Sequence, residues 1–466
     1  MDLFDLDPER ISAILGTAMS RGGDFADIFC QHGCFNTLVL EEGILKTATS
    51  DVEKGIGIRT VKGEKTGYAY TEVFDQANLI AVAKTAATIA DDCGSEQSYR
   101  VSPRTQENYY PVADPAANIK LGEKVSWLTL ANDAARKASD KVSQVTVAFA
   151  DSLQTMVMAD SRGNLVFDQQ PMLRFSINVI AEADGDRQQG RSGDGGRVGF
   201  SFITKEKVVS WAKAAVREAE LLLTAEQAPS GPLPVILGPG DSGILLHEAI
   251  GHPLEADFNR KGSSTYTGRM NEMVADEQCT IIDDGTVPFE RGSINVDDEL
   301  NPSRKTTLIE NGRLCSYMYD EISARYFDRP SSGNGRRESY RFQPIPRMRS
   351  TYMLPGKYDP EEIISSTRKG VYCKTFKGGQ VDISNGNFIF VPSEAWLIED
   401  GKLTCPIKNL SLIGNGPESL SQVSMVGSDF RMSAGIWTCG KGQSVPVGVG
   451  LPTIKISEMT VGGQKK

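Results

Sequence analysis

The sequence predicts an α+β protein made of two parts of different character. In residues 1–228, amphipathic helical patterns alternate with strand-like runs, which predicts an N-terminal α/β domain with an antiparallel sheet and helices. In residues 233–466, short strands and glycine turns dominate, which predicts a mainly β C-terminal domain with one important helix embedded in it. The segment Ala228-Pro229-Ser230-Gly231-Pro232 between them has the composition of a domain boundary.

The first half opens with a helix that has clear start and stop signals. Asp7 is a good N-cap, Pro8 suits the first turn, and Gly22 and Gly23 end the helix. The patterns that follow predict strands separated by glycine turns over residues 27–73, a second helix over 75–90 and an irregular, proline-containing connection over 93–117.

The same order of helix and strands recurs later in the first half. The predicted elements are a helix over 123–138, strands over 144–150, 155–159, 164–168 and 173–183, and a long amphipathic helix over 204–224. Residues 184–197, which precede the last helix, are rich in Gly, Asp and Arg. We expect them to form an exposed, mobile loop.

In the second half, Val235-Ile236-Leu237 has the composition of a buried strand. The turn Gly238-Pro239-Gly240 follows, and a helix is predicted to begin near Asp241. Further short strands are predicted over 280–283, 293–296, 307–309 and 388–391, and the tail over 445–461 is also strand-like.

Bulk composition excludes several classes of function. The net charge of −10 and a sequence pI of about 5.1 argue against a surface that binds nucleic acid. We find no apolar segment of the roughly 20 residues that a membrane span needs, and the acidic N-terminus is unlike a signal peptide. The eight cysteines follow no disulfide framework, which favours free thiols in a reducing compartment. We therefore expect a cytoplasmic protein.

The predicted helix near residue 245 holds two of the three histidines of the chain, His247 and His252, with Glu248 beside the first. Imidazoles are common zinc ligands, and a neighbouring carboxylate can take a proton from water. In a regular helix, however, residues five apart lie about 140° apart around the axis. The two imidazoles can converge only if the helix widens or breaks, which Gly251 and Pro253 favour. The alternative is a helix end whose histidines only cap or pack.

A peptidase zinc site needs a third protein ligand and a position left for water. The remaining histidine, His32, lies in the other half, so Cys, Asp or Glu must supply the third ligand. Among the cysteines, Cys439 has the most suggestive setting because glycines flank it and Lys441 would favour a thiolate. Composition alone leaves this choice open.

Several segments resemble the TldD/PmbA family of metallopeptidases, historically called modulators of DNA gyrase. The resemblance covers most of the chain and rests on His-Glu-Ala-Ile-Gly-His-Pro-Leu-Glu-Ala-Asp at 247–257, Asn-Gly-Arg-Arg-Glu-Ser-Tyr at 334–340, Pro-Arg-Met-Arg-Ser-Thr-Tyr-Met at 346–353, Leu-Ile-Gly-Asn-Gly-Pro at 412–417, Cys-Gly at 439–440 and Val-Pro-Val-Gly-Val-Gly-Leu-Pro-Thr at 445–453. It is closest to the TldD branch, which keeps the metal motif; the PmbA (TldE) branch lacks it.

The resemblance implies one Zn²⁺ per chain, with His247, His252 and Cys439 as ligands and Glu248 as general base. It also implies a two-domain subunit that forms a homodimer or a heterodimer with a TldE/PmbA-like chain. The implied substrates are unfolded peptides or proteins. An oxyanion formed during hydrolysis needs a further donor, and we expect Arg336, Arg337 or Tyr340 to supply it. The alternative for these three residues is a surface loop with structural ion pairs.

Two other interpretations compete with this one. Cys30, His32 and Cys34 point to one face of a predicted strand and could hold a structural zinc, although no fourth ligand is apparent and buried thiols beside a surface histidine are the simpler account. A second alternative is a non-catalytic subunit that binds peptides or partners at sheet edges. The intact His-Glu-His set argues against it, and metal content would decide.

Overall fold

A computed structural model of the chain describes residues 2–90 and 99–464 and has the mixed α+β architecture that the sequence predicts. The helices of the first half are α1 (Pro8–Met19), α2 (Gln76–Ala87), α3 (Leu121–Ala138) and α4 (Lys205–Leu223), with 3₁₀ turns at Asp2–Phe4, Ala116–Asn118 and Phe200–Phe202. Its strands are β1 (Phe25–Glu41), β2 (Ile44–Lys62), β3 (Lys65–Thr71), β4 (Ser102–Pro103), β5 (Val142–Asp160), β6 (Asn164–Ala183) and β7 (Asp186–Gly196).

The start signals of these helices act as the sequence predicts. The side chain of Asp7 accepts a hydrogen bond from the Arg10 backbone N–H, and Thr204 caps α4 through the Lys207 N–H. Residues 99–117 are irregular apart from β4 and the beginning of a 3₁₀ turn, as predicted, whereas residues 93–98 of that segment lie outside the described residues.

The seven strands in the described part of the first half form one sheet in the order β3-β2-β1-β5-β6, with β4 and β7 also paired to β6. All pairings are antiparallel except that of β4 with β6. The four short strands predicted between residues 144 and 183 are in fact two long ones. The polar residues between the predicted short strands also belong to the sheet. One of them, Asp151 in β5, forms a buried ion pair with Lys124 of α3, at 2.6 Å.

The prediction of a mobile loop over 184–197 is wrong, because β7 lies there and pairs with β6 along its whole length. Asp184 and Gly185 have positive φ angles of 52° and 78°, as in the two-residue Asp-Gly turns that close β-hairpins. The glycines of this segment permit close packing: a side chain at Gly190 would collide with the Ala215 carbonyl of α4.

The second half contains many short strands and five short α-helices. The strands are β8 (Glu226–Gln227), β9 (Gly231–Leu237), β10 (Ile281–Asp284), β11 (Lys305–Glu310), β12 (Arg313–Leu314), β13 (Gly335–Arg336), β14 (Ile345–Pro346), β15 (Ser350–Met353), β16 (Lys369–Val381), β17 (Asn387–Glu399), β18 (Lys402–Lys408), β19 (Ser411–Asn415), β20 (Val423–Val426), β21 (Arg431–Met432), β22 (Thr438–Gly440), β23 (Ser444–Pro446), β24 (Gly448–Leu451) and β25 (Ile454–Gly462). The helices are α5 (Ile244–Leu246), α6 (Ala256–Arg260), α7 (Glu321–Tyr326), α8 (Pro360–Ser365) and α9 (Gly416–Ser421).

Two larger sheets organise these strands. One has the order β12-β11-β10-β15-β24-β21, and the other contains β16, β9, β25, β19 and β17 in that order, with β18 and β8 beyond β17. An additional pairing of β16 with β17 closes these five strands into a ring. The predicted strand over 293–296 is wrong, because that segment makes only a single bridge, between Val296 and Pro302.

The three largest clusters of buried apolar side chains each belong to one half of the molecule, whereas two small clusters, around Tyr340 and Ile322, join the halves. The largest cluster draws all its members from residues 228–461, whereas two smaller clusters draw theirs from residues 4–216. Charged groups also join the halves, since Arg59 of β2 forms a buried ion pair with Glu299 at 2.8 Å. No helix in the described part of the chain is long and apolar enough to cross a membrane.

Candidate metal centre

The two histidines lie on a helix of mixed geometry, which we call the metal-binding helix (residues 241–254). It begins with the 3₁₀ turn Asp241–Gly243 and continues through α5, the π-helical turn His247–Gly251 and the 3₁₀ turn His252–Leu254. The His252 N–H donates to the His247 carbonyl, five residues back, so this turn is one residue wider than an α-helical turn. The prediction that the helix must widen is therefore confirmed.

The wide turn places the two imidazoles side by side. Their ring centroids are 5.0 Å apart, at an interplanar angle of 80°, and both side chains are buried. Gly251 is needed in this turn because a side chain there would collide with the Met348 side chain. The wide turn therefore occurs where Gly251 packs against the buried Met348 side chain.

Cys439 comes to the same place from the far end of the chain. It lies on β22, and its Sγ is 3.3 Å from Nε2 of His252. Ligand atoms of His247, His252 and Cys439 all lie within 4.8 Å of one another. Burial opposes ionisation of the thiol, but the two imidazoles outweigh it and lower the pKa of Cys439 to about 5. Lys441 is not among the main groups that lower the pKa of Cys439. Its ammonium instead forms ion pairs with Asp257 at 2.6 Å and Glu255 at 3.1 Å.

Glu255 fixes the orientation of one imidazole. Its fully buried carboxylate accepts a hydrogen bond from Nδ1 of His252 at 3.0 Å, which directs Nε2 towards Cys439. Lys441 and the Arg347 guanidinium, at 3.6 Å, compensate its charge. Burial alone would raise the pKa of Glu255, but Lys441 first and His252 next lower it to about 2. Glu255 is not among the site residues that the sequence predicts, although its three-residue spacing after His252 is a usable signal.

The donor set fits a metal ion. Nδ1 of His247 is buried and has no hydrogen-bond partner among the described residues, so a buried lone pair or N–H is left unsatisfied without a further group. Two imidazoles and a low-pKa thiol are ligands typical of zinc.

Glu248 lies beside this donor set. Its side chain is half-buried and lines the same cavity as His247, His252 and Cys439, with no hydrogen-bond partner among the described residues. Burial raises the pKa of Glu248, and the two neighbouring imidazoles reduce that rise. A carboxylate with a raised pKa and no fixed partner is suited to accept and release a proton.

The cavity in front of these residues, which we call the metal cavity, has a volume of about 480 Å³. One wall is the end of β16, residues 378–381, and another is the segment from Trp437 to Lys441. β16 pairs with β9 only over Val371–Cys373, so beyond that point this edge of β16 has no strand partner among the described residues. The free edge therefore borders the metal cavity.

Arg336, Arg337 and Tyr340 do not line the metal cavity, so the structure gives no support to an oxyanion role for them. Arg336 donates to the carbonyls of Met348 and Pro446, and Arg337 forms a buried ion pair with Asp27 of β1 at 3.2 Å. The hydroxyl of Tyr340 donates to Glu72 at 2.6 Å. Arg337 and Tyr340 thus join the two halves, whereas Arg336 bonds within the second half. These roles are closer to the structural alternative, although the three side chains are largely buried.

The second suggested zinc site finds no support either. Cys30, His32 and Cys34 lie on β1 between β2 and β5, and the described residues contain no other group of three metal-binding side chains as close as that around Cys439. Burial raises the pKa of the Cys30 thiol, which disfavours the thiolate that a metal needs.

Two imidazoles and a thiol that converge beside an unpaired carboxylate and an open strand edge are the arrangement expected of a metal-dependent hydrolase. Comparison with known families agrees. Residues 26–90 match the model of PmbA/TldA metallopeptidase domain 1, residues 114–223 that of the central domain and residues 230–463 that of the C-terminal domain. The chain belongs to the PmbA/TldD family of metallopeptidases and is a metalloprotease.

Similar proteins cover nearly the whole chain. A metalloprotease TldD homolog of Buchnera aphidicola is 44% identical over 452 residues, which are 95% of this chain and 94% of that protein. A metalloprotease TldD homolog of Haemophilus influenzae is 41% identical over 470 residues, covering 98% of this chain and 97% of the relative. The crystal structure of TldE from Thermococcus kodakarensis shares the fold, with a TM-score of 0.76, 20% identity, and coverage of 97% of this chain and 100% of that one.

Proposed function

We propose that this protein is a zinc-dependent peptidase that hydrolyses peptide bonds in unfolded peptides or proteins. One zinc ion per chain would be held by His247, His252 and Cys439. The observation that carries the proposal is the convergence of these three buried ligand atoms within 4.8 Å, beside a carboxylate that faces the same cavity. Nitrogen and thiolate donors favour zinc over the oxygen-preferring magnesium or calcium.

Zinc bound there would supply Lewis-acid chemistry, lowering the pKa of water and polarising a carbonyl. Glu248 would act as general base, taking a proton from the attacking water and releasing it to the departing amine nitrogen. Its raised pKa suits both steps, since the carboxyl must hold the proton between them. Glu255 would position His252 by accepting its Nδ1–H, leaving Nε2 as the ligand atom.

The substrate would bind as an extended chain along the free edge of β16. Residues 378–381 of that strand line the metal cavity, so a peptide paired with them lies next to the ligand residues. Main-chain hydrogen bonds at a sheet edge supply affinity with little demand on sequence. Successive register shifts between Cys373 and Gly378 bend the strand at this point, as bulges commonly do beside active sites.

The functional unit would be a dimer, formed with a second copy or with a TldE/PmbA-like subunit, in the cytoplasm. The likeness to TldE supports a partner of that fold. We also propose that the subunit has two domains, residues 1–228 and 233–466. The three largest apolar clusters, each drawn from one part of the chain, support this division.

Elemental analysis of protein purified without chelator tests the proposal. We expect one zinc per chain and cleavage of an unfolded protein that stops when a chelator removes the metal and returns when zinc is restored. A protein that binds peptides but contains no metal and cleaves nothing would instead be a non-catalytic, partner-binding subunit.

A further inference from the structure

A second cavity lies between the two halves of the molecule, and we call it the side cavity. Its volume is about 240 Å³. Strands β6 and β7 and helix α4 of the first half form one side of it, while β16, the start of the metal-binding helix and residues 434–436 form the other. Its charged lining residues are Arg174, Arg191, Arg217, Glu218, Asp241, Lys374 and Glu394.

The side cavity continues the metal cavity along three chain segments. On β16, residues 374–376 line the side cavity and residues 378–381 line the metal cavity. Asp241 and Ile436 line the side cavity, while residues only a few positions further on, Ile244 and Trp437, line the metal cavity. Residues 374–376 lie two to four positions before Gly378, where the metal cavity begins on β16. An extended peptide beside this strand would cover that separation with two to four residues, at about 3.3 Å each. The side cavity is therefore placed to receive part of a bound substrate.

Two of the three acidic residues of the side cavity, Glu218 and Glu394, are engaged within the protein, whereas Oδ1 of Asp241 has no hydrogen-bond partner among the described residues. Glu394 pairs with Arg217 at 2.8 Å and with Lys374 at 3.1 Å. The buried Glu218 accepts a hydrogen bond from the Arg191 backbone N–H at 2.7 Å. Burial raises the pKa of Glu218, which weakens it as a negative charge. Burial also raises the pKa of Asp241 to about 6, but this carboxyl still carries its charge at neutral pH, where the nearby Arg191 stabilises it.

Two cations of the side cavity form no direct ion pair, although Arg191 lies near enough to Glu218 and Asp241 to lower their pKa values. Neither Arg174 nor Arg191 forms an ion pair with any carboxylate among the described residues, and Nε of Arg174 is buried with no hydrogen-bond partner there. Arg191 donates to the Phe376 carbonyl at 3.0 Å, which holds it against β16. Burial and the charge of Arg191 lower the pKa of Arg174, as expected for a guanidinium that lacks an anion. Four cations face three acids, so the cavity has an excess of positive charge.

We propose that the side cavity is a substrate subsite that binds a carboxylate of the peptide through Arg174 and Arg191, two to four residues from the scissile bond. This rests on the proposed peptidase function and adds a specificity to it. A guanidinium suits this task because its planar donors match a carboxylate. The carboxylate can belong to an Asp or Glu side chain or to the C-terminus of the peptide, and the charge chemistry is the same for both.

Binding of labelled peptides to the zinc-loaded Glu248→Ala protein tests the subsite without cleavage. The probes share one sequence and carry Glu, Gln or Lys at each position two to four residues from the scissile bond, with an amidated or a free C-terminus. At one position we expect the Glu peptide to bind on the order of tenfold more tightly than the Gln peptide, the factor for one charge-assisted hydrogen bond. If the C-terminus is the source, the free acid binds more tightly than the amide and internal Glu has no effect.

Introducing Arg174→Gln or Arg191→Gln into the Glu248→Ala protein should abolish the preference for the carboxylate. The affinity for the amidated Gln peptide should stay within about twofold of its value without the added substitution. Because Arg174 and Arg191 lie on different strands, one variant can still test the subsite if the other fails to fold. Lys305→Gln is the matched control, because Lys305 is an exposed cation that lines neither cavity, and it should keep the full preference. Equal affinity for Glu, Gln and both termini, or tighter binding of Lys, would overturn the subsite even if the wild-type protein cleaves peptides. Failure of the wild-type protein to cleave any peptide would refute the proposed peptidase function. The binding measurements would still show whether the side cavity binds a carboxylate.

Discussion

At the scale of single residues, the proposed zinc site depends on one thiol contributed from far along the chain. Cys439→Ser replaces a low-pKa sulfur ligand by a hydroxyl that stays protonated, so we expect the variant to lose zinc. Elemental analysis measures this directly. Cys315→Ser is the control, because Cys315 is an exposed thiol outside the metal cavity. Zinc bound at wild-type affinity in Cys439→Ser would remove this residue from the ligand set.

Replacing Glu248 tests the role of the general base in peptide cleavage separately from metal binding. Because its carboxylate is not among the three converging ligand groups, Glu248→Ala should still bind one zinc, while peptide cleavage falls about 10²-fold or more, the usual scale for a lost general base. Turnover measured on metal-loaded protein checks this, with Glu277→Ala, an exposed glutamate, as the control. If the variant cleaves at the wild-type rate and a chelator still stops it, another group is the base.

Glu255 gives a residue-scale prediction about positioning. Glu255→Gln weakens the acceptor for the Nδ1–H of His252, and we expect zinc affinity to fall about 10–100-fold, as for other groups that hold a metal-binding histidine. Competition with a chelator measures the affinity without reference to turnover. Asp257→Asn is matched, since Asp257 also bonds Lys441 but makes no hydrogen bond to His252, so its zinc affinity should change little. The role would be refuted by an unchanged affinity in Glu255→Gln.

At the scale of elements, the π-helical turn requires a residue without a side chain at its last position. In Gly251→Ala the new methyl group runs into the Met348 side chain, and we expect a loss of about 1–3 kcal/mol in the free energy of unfolding together with weaker zinc binding. Urea denaturation and metal competition measure the two effects. Gly122→Ala in α3, where a methyl group meets nothing, should be neutral or stabilising by up to about 1 kcal/mol. A Gly251→Ala protein as stable as the wild type would mean that the turn relaxes freely.

At the scale of the whole molecule, access to the buried site restricts the substrate. His247 is 2% exposed and His252 7%, so a substrate must enter the metal cavity, which suits an extended chain about 5 Å thick but not a folded domain. We expect a folded protein to resist cleavage and the same protein, kept unfolded, to be cut at several sites. Mass spectrometry of both digests tests this, with metal-loaded Glu248→Ala as the blank. Equal cleavage of both forms would contradict the prediction, as would one sequence-defined cut in many unrelated peptides.

Local features of this protein follow from short stretches of its sequence. The histidine spacing, with Gly251 and Pro253, predicts that the helix widens or breaks if the imidazoles converge, because five residues do not complete a whole number of α-helical turns. The structure has a widened π turn there. Capping residues and apolar periodicity also located α1 and α4, since helix signals lie within a few neighbouring residues. The Asp184-Gly185 hairpin signal is equally local, but the composition of the glycine-rich segment after it predicts a mobile loop where the structure has β7.

Only the tertiary structure decided which distant residues meet. Composition left the third ligand open, and Cys439 reaches His252 from 187 residues away through strand pairings that no local pattern encodes. The same holds for Glu255 with Lys441 and for Arg337, which joins the first half at Asp27 rather than the metal cavity. The physical reason is that helix periodicity depends on near neighbours, whereas contacts between separate elements depend on sheet order and register, which the whole chain sets together.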